Sequence, residues 1–340
     1  MTEPTEFMEP KETSGTRTKT KVPVSVILEK YGVVAVWLVV LAFFSFMLPE
    51  TFPTLATFRL VFGTQTVILI ATIGLMLSLA VGEFDLSLGA VVGFSASLVV
   101  VLNGVLGLGV ATSLILTVAT ALAFGAINAF LAVYVGVQSI IVTLGSGTVL
   151  TGLTLFVTGT KVVTGLDQSI VTFMTSRILG IPFPFYLAVL LTVVAWFVLE
   201  HTPIGRRMNF VQSNREVARL AGLKVKWIRA GGLMATSTIA GLAGIVLAGT
   251  NGASNPQSGA YYLLPAFAAA FLGSTAIIPG RFNAWGTFVA VYFLVTGVTG
   301  LQYLGYAGWP EQIFYGSSLV LAVTASYLVA RQRGDRKSVV

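Results

Sequence analysis

Ten stretches of this chain stay apolar for the length of a helix, and that pattern leaves few folds open. They fall at about 33–48, 61–81, 86–105, 110–133, 140–158, 183–199, 230–250, 262–279, 286–304 and 313–330. A helix needs about 20 predominantly apolar residues to cross a bilayer core. A membrane-spanning β-strand would alternate apolar and polar residues over about ten positions. Runs such as TVILIATIGLMLSLAV, residues 66–81, do not alternate. Composition agrees, with only 10 % of the 340 residues charged, against about 25 % in a soluble domain. The expected fold class is all-α: a polytopic membrane protein with about ten transmembrane helices.

The charges fix a topology. Five basic residues lie in 1–30 (Lys11, Arg17, Lys19, Lys21, Lys30) and four in 331–340 (Arg331, Arg333, Arg336, Lys337). Seven more lie in 200–229: Arg206, Arg207, Arg215, Arg219, Lys224, Lys226 and Arg229. The positive-inside rule places all three segments in the cytoplasm. Six apolar runs separate the first from the second and four separate the second from the third, so both counts are even, as that placement requires. The expected organisation is a cytoplasmic tail 1–30, disordered over 1–22, then a transmembrane domain 31–330 with a cytoplasmic loop at 200–229, then a cytoplasmic tail 331–340. Segments 159–182 and 251–261 fall on the external side. The net charge of +7 follows the membrane flanks. No nucleic-acid-binding motif accompanies it, so lipid is the expected partner and nucleic acid is not.

Most chemistry is missing. The chain has no cysteine and a single histidine, His201, in a polar segment. Thiol catalysis, Cys-ligated metal and a Ser-His-Asp arrangement are thereby excluded or left without partners. No phosphate-binding G-x-x-x-x-G-K-[ST] loop is present. Neither a row of intramembrane carboxylates for proton relay nor a filter motif is present. The chain reads as no enzyme, with no cofactor or metal of its own. It is either a passive conduit or a transport subunit powered by another chain.

Three features remain as candidates. Within 61–101 the only charges are Glu83 and Asp85, in LAVGEFDLSLGAVVG. Ionisable groups at membrane depth read as functional, whereas carboxylates at a membrane face simply meet water. Asp85-Leu86-Ser87 resembles a helix start, and Gly82 and Gly89 permit a break between two helices. Gly89 and Gly93 have small-x-x-x-small spacing, which suits close helix packing. Polar side chains in or near spans include Gln65, Asn103, Asn128, Gln138, Asn251 and Asn255. Of the pathway candidates, Asp85 leads, followed by Ser87, Asn128 and Asn251. In the loop HTPIGRRMNFVQSNREVARLAGLKVKWIRA, Ser213 and Glu216 have capping-box spacing. That predicts a short helix over Asn214–Ala221, ended by Gly222. Val217, Leu220 and Ala221 share one side of it, and Arg215 and Arg219 another. Such a helix either lies on anionic lipid or docks into a cytoplasmic partner.

These stretches resemble, in order, the membrane permease of ribose-type ABC importers. Residues 73–98 are similar to that family's G-G-I-D-L-S-V-G-S region, and residues 138–159 to its P-F-I-A-T-L-G segment. Residues 202–223 are similar to its T-x-x-G-R…N-x-x-A-A-x-x-x-G-I loop, and residues 252–286 to a later stretch. The likeness covers about residues 33–330. It departs at Gly82-Glu83, where the family has paired glycines, at Leu263-Leu264, where an acidic residue follows the tyrosine, and at Pro279-Gly280. The resemblance implies an ABC importer permease fold in a bacterial-type inner membrane. It implies a second permease subunit, identical or homologous, two cytoplasmic ATP-binding subunits that carry ATP-Mg, and an external solute-binding protein. The transported solute would be a monosaccharide. Nucleosides or branched-chain amino acids are the alternative, and an ATP-independent channel or secondary transporter the second. The loop 202–223 would be the coupling element to the ATPase, through Gly205, Arg206, Ser213, Asn214, Glu216, Ala218, Arg219 and Gly222.

Overall fold

The apolar runs fold as helices, and the way they bury one another sets the architecture. The computed structural model describes residues 24–306 and 308–337. After α1 (Val24–Met47) comes a run in two pieces, α2 (Leu55–Thr64) and α3 (Thr66–Leu79), joined at Gln65. Next are α4 (Leu88–Val100), α5 (Val110–Ala129), α6 (Ser139–Thr158), the short α7 (Gln168–Thr175) and α8 (Phe183–Trp196). Two short helices, α9 (Pro203–Ser213) and α10 (Arg215–Leu220), precede the long α11 (Val225–Asn251). The chain ends with α12 (Ala260–Gly273), α13 (Ala284–Tyr303) and α14 (Trp309–Lys337). Wider π-type turns finish α4, α5 and α8, at Val101–Val105, Phe130–Val135 and Phe197–His201.

The all-α class holds, and the chain is a multi-pass membrane protein. Among the described residues eight helices, with α2 and α3 taken together, are long and apolar enough to cross a bilayer. The run expected at 262–279 is shorter: α12 stops at Gly273 after 14 residues. Its end is held by local hydrogen bonds. The Thr275 hydroxyl donates to the Leu272 carbonyl, and the Asn283 amide donates to the carbonyls of Gly273 and Ala276. Asn283 Oδ1 meanwhile accepts the Gly286 N–H at 2.7 Å and so starts α13.

Every residue of α3 except Leu77 is buried. A helix apolar all round belongs inside its neighbours, and α3 is the innermost. α11 lies against α3, α4 and α5, while α6 covers α4 and α8 covers α3 and α13. α12 bears on α13, α14 and α3. Glycines let these backbones touch: a Cβ on Gly244 of α11 would stand 2.4 Å from the Val92 carbonyl oxygen of α4. One on Gly89 would stand 2.6 Å from the Gly259 carbonyl oxygen, which gives the Gly89–Gly93 spacing its packing role. The outer faces of α5 and α6 carry exposed Ile115, Ile127, Ile141, Val149 and Phe156. That is the surface a lipid-facing helix needs, since its backbone is satisfied internally and its side chains meet hydrocarbon.

The connections sort onto two ends of the bundle. β1 (Val163–Thr164) pairs antiparallel with β4 (Ala253–Ser254), with Val163 opposite Ser254. This joins the two segments read as external. A second ribbon, β2 (Arg177–Ile178) with β3 (Ile181–Pro182), sits within the first of them. β4 follows the end of α11, while α10 precedes its start. A 27-residue helix separates those points, a distance of about 40 Å at 1.5 Å per residue. α1 begins at Val24, inside the segment read as a tail to residue 30, and α14 continues through Lys337, inside the tail expected at 331–340. Residues 1–23 lie outside the described residues, and with them the reading of 1–22 as disordered.

Candidate functional site

Between α3 and α4 the chain leaves the helix over residues 80–87. Gly82 turns it, with φ +75°, a left-handed conformation that glycine adopts without strain. Asp85 then organises the turn just before α4. Its Oδ1 accepts the Ser87 N–H at 3.0 Å and the Ser87 hydroxyl at 2.5 Å. Asn128 of α5 donates from Nδ2 to Ser87 Oγ at 3.0 Å. All three residues are buried. Asp85 Oδ2 and Asn128 Oδ1 have no hydrogen-bond partner among the described residues. α6 fixes the same stretch from its other side: Thr143 Oγ1 accepts the Leu86 N–H at 3.0 Å, and Ser139 Oγ accepts that of Phe84 at 3.3 Å. Neighbouring helices thus satisfy a backbone that has left its own hydrogen-bond ladder, as an interruption inside a membrane bundle demands.

The loop expected to couple to a partner forms two helices. Thr202 caps α9 by accepting the Gly205 N–H, and Pro203 occupies the first turn. Gly205 lies directly on the preceding turn, where a Cβ would come 2.1 Å from the Leu199 carbonyl oxygen. Arg206, beside it, is exposed. The capping box expected at Ser213 is not the one formed. Ser213 is the last residue of α9, and its hydroxyl donates back to the Asn209 carbonyl at 2.9 Å. Asn214 is extended instead and caps α10: its Oδ1 accepts the N–H groups of Glu216 and Val217, each at 3.0 Å. α9 runs through Ser213, one residue further than the capping reading allowed, which commits the serine hydroxyl to its own helix and passes the cap to the next residue. α10 spans Arg215–Leu220, and Gly222, at φ +80°, closes the turn after it.

α10 stands clear of the bundle. Only Ala218 is buried, and Glu216 and Arg219 pair with each other across one turn. Val217 is 47 % exposed, Leu220 78 %, and Trp227 on the first turns of α11 70 %. The apolar side of α10 is therefore left uncovered by the described residues.

One carboxylate joins these two regions. Glu83 is 1 % exposed, and its Oε1 receives Arg215 Nη2 at 2.8 Å and Arg229 Nε at 2.5 Å. Arg215 Nη2 also donates to the Gly82 carbonyl at 2.7 Å. One cation comes from the first residue of α10 and the other from the start of α11, so the pair of arginines brackets α10 and fastens it to the break. The sequence reading noted Glu83 and Arg215 but gave neither a role at the site, and it did not join them to each other or to Arg229. The signal was the carboxylate itself, standing where the resembling family has glycine, together with the basic excess of residues 200–229.

On the other side of the break lies a cleft of about 840 Å³ between α4, α6 and the start of α12. Gly89, Gly93, Gly147, Thr148, Thr151 and Gln257 are among its lining residues. It is largely apolar, with hydroxyls and one amide for hydrogen bonding. Of the four residues selected for a pathway, Asp85, Ser87 and Asn128 come together as the buried network above, behind this wall rather than on it. Asn251 stands apart, exposed at the far end of α11.

A family model described as "Branched-chain amino acid transport system / permease component" matches residues 59–323. The D-allose transport system permease protein of Escherichia coli K12 is 26 % identical over 306 residues, covering 89 % of this chain and 93 % of its own. The ribose import permease protein of Bacillus subtilis 168 is 31 % identical over 252 residues, 74 % and 78 % of the two chains. The autoinducer 2 import system permease protein of Photorhabdus luminescens is 28 % identical over 272 residues, 78 % and 81 %. No solved structure matches the chain.

Proposed function

The chain belongs to the ribose-type importer permease family, whose model is described as branched-chain amino acid transport system / permease component, and from that membership we propose that it is the membrane-spanning subunit of an ATP-driven importer for a monosaccharide. The relatives' names favour a sugar or sugar-like solute over nucleosides and branched-chain amino acids. The observation that carries the reading is α10. It is a capped helix with an uncovered apolar side, on a chain with no nucleotide-binding motif, fixed by two arginines to a break between spans.

Two copies of this permease, or one with a homologue, face each other. The cleft between α4, α6 and α12 supplies one wall of the pathway, and the partner subunit supplies the other. Its hydroxyls and Gln257 offer the solute hydrogen bonds without a charged trap, so that it is recognised and still leaves. Asp85, Ser87 and Asn128 hold the wall from behind. Two cytoplasmic ATP-binding subunits bind and hydrolyse ATP-Mg. Each receives one α9–α10 segment in a groove, with Val217 and Leu220 as apolar anchors and Arg219 beside them. An external solute-binding protein delivers the sugar at the end marked by the β1–β4 pair. Both chain termini lie in the cytoplasm of a bacterial-type inner membrane. ATP binding shifts α10, and the spans alternate between outward- and inward-facing states.

The test is a gentle solubilisation of native membranes carrying the tagged chain, followed by identification of what copurifies. A P-loop ATPase in the complex, and loss of labelled D-ribose or D-allose uptake when the gene is deleted, is the expected result. Purification of the chain alone in several mild detergents, with uptake that tracks an ion gradient instead of ATP, would replace this reading with a secondary transporter or channel.

A further inference from the structure

We infer that Glu83 is the positioning residue that carries movement of α10 into the wall of the α4–α6–α12 cleft, an inference that rests on the permease reading above. The carboxylate is buried, and one oxygen takes both arginines, 2.8 Å from Arg215 and 2.5 Å from Arg229. Arg215 holds the backbone as well as the side chain, through the Gly82 carbonyl. A shift of α10 therefore drags the peptide on which the chain reverses its handedness, not merely a flexible side chain. A buried carboxylate that loses its cations is left with a large desolvation penalty, so the contact moves as a unit rather than sliding apart.

From Glu83 the route to the cleft is short and made of fixed contacts. Asp85 and Ser87 stand just before α4 and are tied by Asn128 to α5. Thr143 ties Leu86 to α6. Leu86, Gly89, Ala90 and Gly93 of the same segment line the cleft. Gly147 of α6 faces this joint directly: a Cβ there would lie 3.2 Å from Ser87 Cα. The segment has little slack on either side, so displacement at Glu83 changes the separation of α4 from α6.

The absence of cysteine makes the test direct. A single reporter cysteine is placed either on α10 (Val217→Cys) or on the cleft wall (Thr148→Cys), and each is labelled with an environment-sensitive fluorophore. The full chain is used, in complex with its copurified ATPase in nanodiscs, and the label's response to ATP-Mg is read with Glu83 intact and with Glu83→Gln. The expected result is an unchanged response at position 217 and a response at position 148 weakened about fivefold or more, the range of a coupling free energy between sites. Equal responses at position 148 with and without Glu83→Gln would overturn the inference. No ATP response at either position with Glu83 intact would overturn the permease reading instead. If Glu83→Gln does not reach the membrane, Arg215→Gln takes its place, because Arg229 still covers the carboxylate. It should show the same split between the two positions, and its failure to do so overturns the inference equally.

Discussion

Two interruptions in this chain use the same local chemistry in opposite surroundings. At residues 80–87 a buried Asp side chain accepts the N–H two residues on, just before α4, and α5, α6, α10 and α11 all hold the turn. At Asn214 an Asn side chain caps α10 with the same kind of contact, but exposed, with Glu216 and Arg219 paired to each other. The cap decides where a helix begins. Burial decides whether that beginning is a fixed part or a movable one. The buried break is determined from four helices and has one geometry open to it. The exposed one is attached at its base by Arg215 and is otherwise free to follow whatever covers its apolar side.

That contrast sets an order of effects. Glu83→Ala should be the most damaging, because it strips the shared partner from two arginines, one of them largely buried. A loss of about 3 kcal/mol is expected, read as a fall in the thermal midpoint of the purified chain. Asp85→Ala comes next. It removes the acceptor of both the Ser87 N–H and the Ser87 hydroxyl just before α4, for about 1–2 kcal/mol. Uptake should drop while the amount of protein in the membrane stays the same. Full uptake by this variant would remove Asp85 from any functional account. Asn214→Ala should cost about 1 kcal/mol within α10 and leave the thermal midpoint of the bundle unmoved, because α10 buries only Ala218 in it. Its effect should appear as weaker recovery of the ATPase. A bundle destabilised as much as by Asp85→Ala would erase the distinction between the two breaks.

The sequence made one side of this contrast readable and hid the other. The apolar runs marked the spans because lipid demands continuous hydrophobicity, and the parity of the basic segments agrees with a structure in which 159–182 meets 251–261 at one end. Asp85 and Ser87 were visible as the approach to a helix because a side chain that accepts the amide two residues on is a local property. Boundaries that depend on non-local partners were not. α12 ends at Gly273 because Asn283, ten residues on, gathers its carbonyls. The cap of α10 moved from Ser213 to Asn214 because α9 extended through the serine. The Glu83 clamp joins positions 132 and 146 residues apart in the chain, and no periodicity or motif encodes such a pairing. What the sequence offered was its chemical need: a lone carboxylate between apolar runs and a loop with cations in excess.

The smallest effect on the fold belongs to Arg219→Glu, and it separates the two regions most sharply. Arg219 is exposed and, among the described residues, pairs with Glu216 one turn away. An exposed pair at that spacing contributes about 0.5 kcal/mol or less, and its replacement by two like charges reverses a term of similar size. The chain should therefore reach the membrane in normal amounts with an unchanged thermal midpoint. Its partner should notice far more. Docking of α10 buries the apolar side formed by Val217 and Leu220, and an introduced carboxylate at position 219 enters that contact beside Glu216. ATPase recovery should fall, and raising the salt concentration should narrow the gap between the variant and the original chain as screening shortens the reach of the repulsion. Undiminished recovery at low salt would place the groove of the partner elsewhere on this end of the bundle and leave α10 as a lid over the break rather than a lever upon it.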